Sequence, residues 1–266
     1  KNNQINVFLL WRDKRAKAQH KVVKGATLKG DLVTISGFLN WCFKMGYRKK
    51  KCTGLTTDLL SKQLRHQRTS RTAFTKEEYK KLLDESKTRY RNGATRRIRF
   101  DREKLHHFIV FMVGTGMRVD ECLSLYWEDI TFKGQGVKVD GFVKQLESSH
   151  LVINVGKSKT NSRKSYGIGS AFFALQNLMK LYKQNQIKIG STEKIWGVKS
   201  FRDGINALLL SCDLKYQKIG DTRVKRDSKS LRNTFIQFML DKNISATAIA
   251  KWVGTSTEMI DKFYTA

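Results

Sequence analysis

The sequence predicts a mostly helical α+β fold, with a small helical domain at the N-terminal end and a larger domain that contains a small antiparallel sheet. Apolar residues recur at helical spacing through most of the 266 residues, and β-branched residues broken by Gly and Asn are concentrated in residues 130–168. A segment without apolar periodicity separates the two ends of the chain. We therefore expect two domains, residues 1–68 and 69–266.

The N-terminal domain is predicted from a helix over residues 27–45, which Gly46 ends. Its apolar face comprises Leu28, Leu32, Ile35, Phe38, Leu39 and Cys42. Four cations follow, namely Arg48, Lys49, Lys50 and Lys51, within a 68-residue segment that holds 16 Lys and Arg against three acids. Such a run is either a solvated loop or a set of phosphate contacts, and the charge of the segment favours DNA binding.

The larger domain is predicted to begin after a linker over residues 65–73, because Thr75 and Glu78 then form a capping box that starts a helix. An apolar helix over residues 105–113 follows. Its neighbouring His106 and His107 point in different directions, so they are poor joint metal ligands and are better explained as packing or surface residues. After the strand-rich stretch, helices are predicted over residues 171–186, 201–214, 230–240 and 246–253.

The charge of the chain indicates a polyanionic partner. Its 52 Lys and Arg against 23 Asp and Glu give a net charge of +29, and counterion release on a phosphate backbone would offset that self-repulsion. Double-stranded DNA is the expected partner. The longest apolar run has six residues, 108–113, against the roughly 20 of a membrane span, so we expect an intracellular protein with no membrane partner. The four cysteines are too far apart for a zinc motif, and no metal site is predicted.

Arg118 is the first candidate for a site that binds an anion. It follows a Gly114–Gly116 helix stop and opens a helix whose predicted buried stripe is Val119, Cys122, Leu123 and Tyr126. A cation there opposes the helix dipole by up to about 1 kcal/mol unless an anion binds in the same place. Glu121 shares its face and could orient the guanidinium, or the two could form a salt bridge with no further role.

The same arrangement recurs at Lys229 and Arg232, in the first turn of another predicted helix. Two such conflicts indicate one shared phosphate, which the arginine fork can bind bidentately. Lys159 lies in the turn-rich segment 156–162, predicted to be a hairpin tip that reaches into the site. Lysine is also common at such tips for solubility alone.

The C-terminal stretch supplies a candidate nucleophile. Gly254 is predicted to end a helix, and Thr255 with Glu258 resembles a second capping box. Tyr264 follows an apolar stripe and could be a packing residue. A phenol beside two arginines and a lysine could instead attack phosphorus.

Together these motifs resemble the tyrosine recombinases, the phage-integrase family of site-specific DNA recombinases. Residues 114–129 resemble the segment around the first arginine of the family, with Arg118 as that arginine and Glu121 as the acid that follows. Lys159 falls where the family carries its hairpin lysine, Arg232 matches the second arginine, and Tyr264 lies ten residues after Gly254. Two positions depart from the family, because Lys229 replaces the usual His and Thr255 replaces the usual His or Trp.

The resemblance implies DNA strand cleavage without a metal or cofactor. Tyr264 would attack the scissile phosphate, Arg118 and Arg232 would stabilise the transition state, and Lys159 would protonate the leaving 5′-oxygen. Lys229 would assist the phenol or bind a nonbridging oxygen, and Thr255 would bond to the phosphate.

The resemblance further implies that an N-terminal clamp and the catalytic domain close as a C around duplex DNA. Recombination would use a homotetramer on two sites, with accessory DNA-bending proteins as an optional addition. The expected location is on DNA, in a bacterial cytoplasm or nucleoid or in the host cell of a virus or mobile element.

Two other functions remain open at this point. Residues 245–263 have the helix, turn and helix of a non-catalytic helix-turn-helix DNA-binding protein, although that does not explain why Arg118 and Arg232 both open helices. A type IB topoisomerase resembles the same catalytic core, and recombination between two sites would distinguish the two enzymes.

Overall fold

The computed structural model describes residues 3–19, 23, 25–53, 71–134, 137–139, 142–144, 149–156, 163–220 and 222–264. The chain divides into two compact units, Lys1–Thr69 and Ser70–Ala266. Most of the predicted linker over residues 65–73 lies outside the described residues, which resume at Arg71.

The first unit contains two described helices, α1 (Asn3–Ala18) and α2 (Gly25–Lys44). The second confirms the helix predicted from apolar spacing, and its Leu28 and Leu32 are buried. Gly46 follows it with φ of +78°, a left-handed conformation that suits glycine at a helix end. The chain then turns into the basic run 48–51, and the Cys52 amide donates to Asn40 Oδ1 at 2.9 Å.

The second unit is mostly helical with short strands, as the sequence predicts. Its helices are α3 (Lys76–Arg91), α4 (Arg96–Thr115), α5 (Val119–Ser124), α6 (Gly169–Gln184), α7 (Arg202–Ser211), α8 (Ser228–Leu240), α9 (Ala246–Val253) and α10 (Thr257–Tyr264). Its strands are β1 (Ile130–Lys133), β2 (Val137–Val139), β3 (Phe142–Lys144), β4 (His150–Val155), β5 (Arg163–Gly167), β6 (Tyr216–Ile219) and β7 (Thr222–Lys225).

Helix α4 is the centre of this unit. Its second half, 104–115, is buried except for a partly exposed Val110, because α3 and α6 pack against it. Trp196 is fully buried against this helix, with its ring 5.0 Å from that of Phe108 and in an edge-on arrangement. Burial of apolar side chains such as these is the main favourable contribution to the free energy of folding.

The sheet confirms the strands predicted over residues 130–168. It has the order β1-β4-β5, antiparallel throughout, and β2 and β3 form a separate hairpin. Leu151 and Ile153 point into the core from β4, which shows the alternation expected of a strand with one buried face.

The last three helices share a second apolar cluster, formed by Phe235, Ile236, Met239, Ile249, Ala250, Val253 and Ile260. Helix α9 ends at Gly254, whose φ of +70° confirms the predicted helix stop. The predicted cap at Thr255 is one residue too early, because the Met259 amide donates to Ser256 Oγ at 3.4 Å.

Two further predictions differ from the structure. Helix α5 has only six residues, so Tyr126 lies beyond it, half-exposed, and pairs with Lys194 in an isolated bridge. The predicted buried stripe was therefore wrong at Tyr126, while Cys122 is fully buried as predicted. The hairpin of β6 and β7 was not predicted.

A buried ion pair joins the start of this unit to the residue that follows β7. Arg226 is 1% exposed and donates to both carboxylate oxygens of Glu78, at 2.9 and 2.8 Å. Its guanidinium also donates to Thr72 Oγ1 and the Ala73 carbonyl and lies 4.8 Å from the centre of the Phe74 ring. The capping box predicted at Thr75 and Glu78 is present beside it.

Replacing Arg226 with Met is expected to lower the free energy of unfolding by about 3 kcal/mol, because four acceptor atoms lose a buried charged donor. Urea denaturation at neutral pH measures this. Lys87→Ala, which removes an exposed pair with Asp84, is the control and is expected to cost less than about 0.5 kcal/mol. Equal losses in the two variants would contradict the importance of burial.

His106 and His107 are both buried, as the packing interpretation predicts. His106 Nδ1 lies 2.5 Å from Ser86 Oγ, whereas the buried His107 Nε2 has no hydrogen-bond partner among the described residues. Burial lowers the pKa of each ring from 6.5 to about 4, so both are neutral at pH 7. The contact of His107 with Glu103, at 3.9 Å, is therefore not an ion pair at that pH.

Acid is expected to destabilise this unit through these rings. The unfolded chain binds a proton near pH 6.5 but the folded chain only near pH 4, so the free energy of unfolding falls as pH drops between those values. The full effect is about 3 kcal/mol per ring.

His107→Met is expected to make the pH dependence of urea unfolding shallower between pH 7 and 4. The control is His150→Gln, which removes an exposed imidazole. A slope unchanged by His107→Met would contradict the assignment.

Candidate active site

Arg118 lies at the N-terminus of α5, where the sequence places it. Its Nη1 donates to Glu121 Oε1 at 2.9 Å and its Nη2 to the Gly254 carbonyl at 2.5 Å. The chain reaches this position through Gly116, whose φ is +62° and whose added Cβ would lie 2.2 Å from Phe235 Cδ1. The side chain is 41% exposed, so an anion from solvent can reach the guanidinium.

Arg232 projects from the first turns of α8 toward the same place. Its Nη1 donates to the Gly116 carbonyl at 3.0 Å and to the Val253 carbonyl at 2.8 Å. Arg118 and Arg232, 114 positions apart in the chain, thus meet at neighbouring carbonyls at the end of α9. A helix C-terminus carries partial negative charge, which favours cations at that position.

Glu121 is a buried acid that joins two of the cations. Its Oε2 accepts from Arg163 Nη2 at 2.7 Å and from the Arg118 amide at 3.1 Å, while Oε1 accepts from Arg118 Nη1. With Arg232, these four side chains carry a net charge of +2. The cluster is therefore suited to hold an anionic group such as a phosphate.

Arg163 was not predicted as part of this cluster. It lies at the start of β5 and also donates to the carbonyls of Trp252 and Val253, at 2.7 and 3.2 Å. Burial lowers the pKa of Arg163, and the neighbouring Glu121 opposes that shift. The only sequence signal for it was its position directly after the segment that holds Lys159.

Lys229 is exposed on the first turn of α8, one turn before Arg232. Its amide donates to Asp227 Oδ1 at 2.9 Å, and Arg71 Nε donates to Oδ2 of the same carboxylate at 2.8 Å. Burial raises the pKa of Asp227, but these hydrogen bonds outweigh burial and the net effect is to lower it. Asp227 is therefore a charged cap that favours the start of α8 despite the two cations there.

The remaining predicted site residues differ in how far the structure describes them. Thr255 is half-buried directly after Gly254, and its amide donates to the Ala250 carbonyl at 3.0 Å. The backbone of Tyr264 lies in α10, and its side chain is outside what the structure describes. Lys159 and its segment also lie outside the described residues.

The basic run of the first unit lies in the loop after α2. Lys49, Lys50 and Lys51 are exposed, and Arg48 is half-buried. Three of the four basic side chains of this run are therefore open to solvent.

The thiol of Cys122, which lies near the arginines, is unsuited to nucleophilic attack. Cys122 is fully buried, and burial raises the pKa of its thiol above the ordinary value, with the charge of Glu121 adding to the shift.

Within the described residues, no three His, Cys, Asp or Glu side chains come together as a metal site requires. Among the described helices, none is long and apolar enough to cross a bilayer.

The fold and the paired arginines define a class of enzymes that break and rejoin DNA strands, the tyrosine recombinases. The sequence profile of the phage integrase family matches residues 72–266, which is most of the chain. The protein therefore belongs to the phage integrase family. A search of curated protein sequences gives no match.

Three solved structures show the same fold at low sequence identity. The chain is similar to the XerH site-specific recombinase bound to its difH substrate, with a TM-score of 0.64, 15% identity and coverage of 100% of this chain and 67% of that one. It is also similar to the Tn1549 transposon integrase in complex with a circular intermediate DNA, with a TM-score of 0.64 and 13% identity. That match covers 99% of this chain and 80% of the integrase chain. A third similar structure is a lambda integrase dimer bound to a COC′ core site, with a TM-score of 0.56 and 14% identity. That match covers 100% of this chain and 64% of the lambda integrase chain.

Proposed function

We propose that this protein is a site-specific DNA recombinase in which Tyr264 attacks a backbone phosphodiester. The phenolic oxygen forms a bond to phosphorus while the bond to the 5′-oxygen breaks, which leaves a 3′-phosphotyrosyl link and a free 5′-hydroxyl. The proton lost by the phenol is matched by the one that the leaving oxygen gains. Attack by that hydroxyl reverses the step and rejoins the strand.

The observation that carries the proposal is the meeting of Arg118 and Arg232 at the end of α9. Their guanidinium groups donate to the neighbouring carbonyls of Val253 and Gly254, the second of which is directly before Thr255 and ten residues before Tyr264. Such preorganised cations can stabilise the charge that develops on the nonbridging oxygens in the transition state. Lys159 is assigned to protonate the leaving oxygen, and Lys229 and Thr255 to bind the phosphate.

The helix-turn-helix alternative is less well supported. Three arginines, at positions 118, 163 and 232, donate to the last carbonyls of α9 and thereby attach the turn between α9 and α10 to the cluster. A recognition helix in the major groove needs no such attachment. The arrangement instead holds the carbonyls of residues 252–254, just before α10, beside the cations.

The DNA partner and the assembly follow from the proposed reaction. The N-terminal unit would clamp duplex DNA, with Arg48, Lys49, Lys50 and Lys51 as phosphate contacts. Exchange between two sites would need a homotetramer, with accessory DNA-bending proteins where the site requires them. The protein would then act on DNA inside a bacterial cell or the host cell of a mobile element.

The test is to trap the covalent intermediate. Nicked suicide duplexes are made from the junctions of the element that encodes the chain, so that the cut fragment diffuses away and rejoining fails. We expect an SDS-resistant, protease-sensitive adduct whose nucleotide remnant maps by mass spectrometry to the peptide that contains Tyr264. Linkage to another residue, or no adduct on any junction duplex, would overturn the proposal. Exchange between two duplexes, rather than relaxation of supercoils alone, distinguishes a recombinase from a topoisomerase.

A further inference from the structure

Arg163 lies behind the two arginines that the proposed function uses. Its side chain is 15% exposed, against 41% for Arg118. Its guanidinium donates to Glu121 Oε2, to the Trp252 carbonyl and to the Val253 carbonyl. A guanidinium so covered by protein acceptors is poorly placed to bind a phosphate itself.

Each of these contacts is shared with, or adjacent to, a contact of the arginine pair. Glu121 accepts from Arg163 on one oxygen and from Arg118 on the other. The Val253 carbonyl accepts from both Arg163 and Arg232. Any movement of Arg163 therefore displaces an acceptor that holds Arg118 or Arg232.

The local structure is built around this side chain. Gly254 packs so closely on it that an added Cβ would lie 2.3 Å from Arg163 Nε, and Ser165, two residues along β5, donates to the Trp252 carbonyl at 2.9 Å. Strand β5 thus contacts the end of α9 at two points.

Burying a guanidinium carries a desolvation cost that an apolar residue of similar volume would avoid. Burial also lowers the pKa of Arg163, in keeping with that cost. A role in stability alone does not explain this choice of residue. Three acceptors on two different elements, at distances of 2.7 to 3.2 Å, require the planar fork that arginine provides.

We propose that Arg163 is a positioning residue for strand cleavage, which holds Glu121 and the end of α9 so that Arg118 and Arg232 converge on one phosphate. This inference rests on the proposed function. It assigns Arg163 no contact with the substrate. Its effect is expected on the rate of the chemical step and not on affinity for DNA.

The experiment compares Arg163→Gln with Lys164→Gln in the full chain. Lys164 is the next residue of β5 and is exposed, so its replacement removes the same charge without touching the cluster. The single-turnover rate of adduct formation is measured with saturating suicide duplex, and the Kd for the same duplex is measured at fixed salt. We expect Arg163→Gln to lower the rate about 100-fold, as a misplacement of about 1 Å would. Its Kd should stay within about threefold of the Kd of Lys164→Gln. A change of that size is no larger than the loss of one weak hydrogen bond would cause.

A double variant tests whether Arg163 acts through Glu121. Arg163→Gln combined with Glu121→Gln is expected to be no more than about threefold slower than the slower single variant, because both changes release the same contact. If Arg163→Gln does not fold, Arg163→Lys, which keeps the charge but not the fork, is expected to lose about tenfold in rate at unchanged Kd.

The outcomes separate the inference from the proposed function. If the wild-type chain forms the adduct but Arg163→Gln reacts as fast as Lys164→Gln, the inference is wrong and the function stands. The inference is also overturned by losses that multiply in the double variant, or by an Arg163→Lys variant as fast as the wild type. Equal falls in rate and affinity would make Arg163 a phosphate contact instead. A wild-type chain that forms no adduct overturns the proposed function and this inference together.

Discussion

Tyr264→Phe is expected to abolish the covalent protein–DNA adduct and to leave DNA affinity within about threefold of the wild-type value. The variant lacks the atom that would bond to phosphorus, so no adduct can form. The loss of one hydroxyl changes the Kd for DNA by no more than the loss of one weak hydrogen bond would. Denaturing gels on suicide duplexes measure the adduct, and band shifts at fixed salt measure the affinity.

Tyr126→Phe is the matched control, since it removes a phenol from a half-exposed tyrosine that contacts Lys194 rather than the arginine cluster. It is expected to form the adduct at the wild-type rate. An adduct formed by Tyr264→Phe would show that another group is the nucleophile. Cys122 would be a poor candidate, because burial raises the pKa of its thiol.

Periodicity predicted the type of most helices, but not their full length. Helix α4 begins at Arg96, nine residues before its predicted apolar core, because its first turns are charged and face solvent. Between β6 and β7 the sequence reads Gly220-Asp221, which is a known hairpin signal. Its lysines and arginines obscured the alternation that would have marked the strands.

The sequence likewise reveals some residues of the candidate site and not others. Arg118 and Arg232 could be found from the sequence, since a cation at a helix N-terminus is locally unfavourable and calls for an explanation. Arg163 could not be found by that reasoning. It lies in a strand, where a cation conflicts with nothing local, and its acceptors at Glu121 and Trp252 are 42 and 89 positions away. Only the packing of β5 against α9 brings Arg163 into the cluster.

Arg118→Ala and Arg232→Ala are each expected to lower the single-turnover rate of adduct formation by about 100-fold to 1000-fold, the loss found when one preorganised donor is removed from a transition state. Lysine at either position keeps the charge but not the fork, and should lose less. Rates are measured with saturating suicide duplex.

The double variant Arg118→Ala/Arg232→Ala tests whether the two arginines act together or independently. If the guanidinium groups act on one phosphate and hold the same turn at Val253 and Gly254, the combined loss will be smaller than the product of the single losses. Arg202→Ala, at an exposed arginine on α7, controls for loss of charge and should cleave normally. A fall in affinity with no fall in the rate at saturating duplex would mean that the arginines bind ground state and transition state equally, which would contradict a catalytic role.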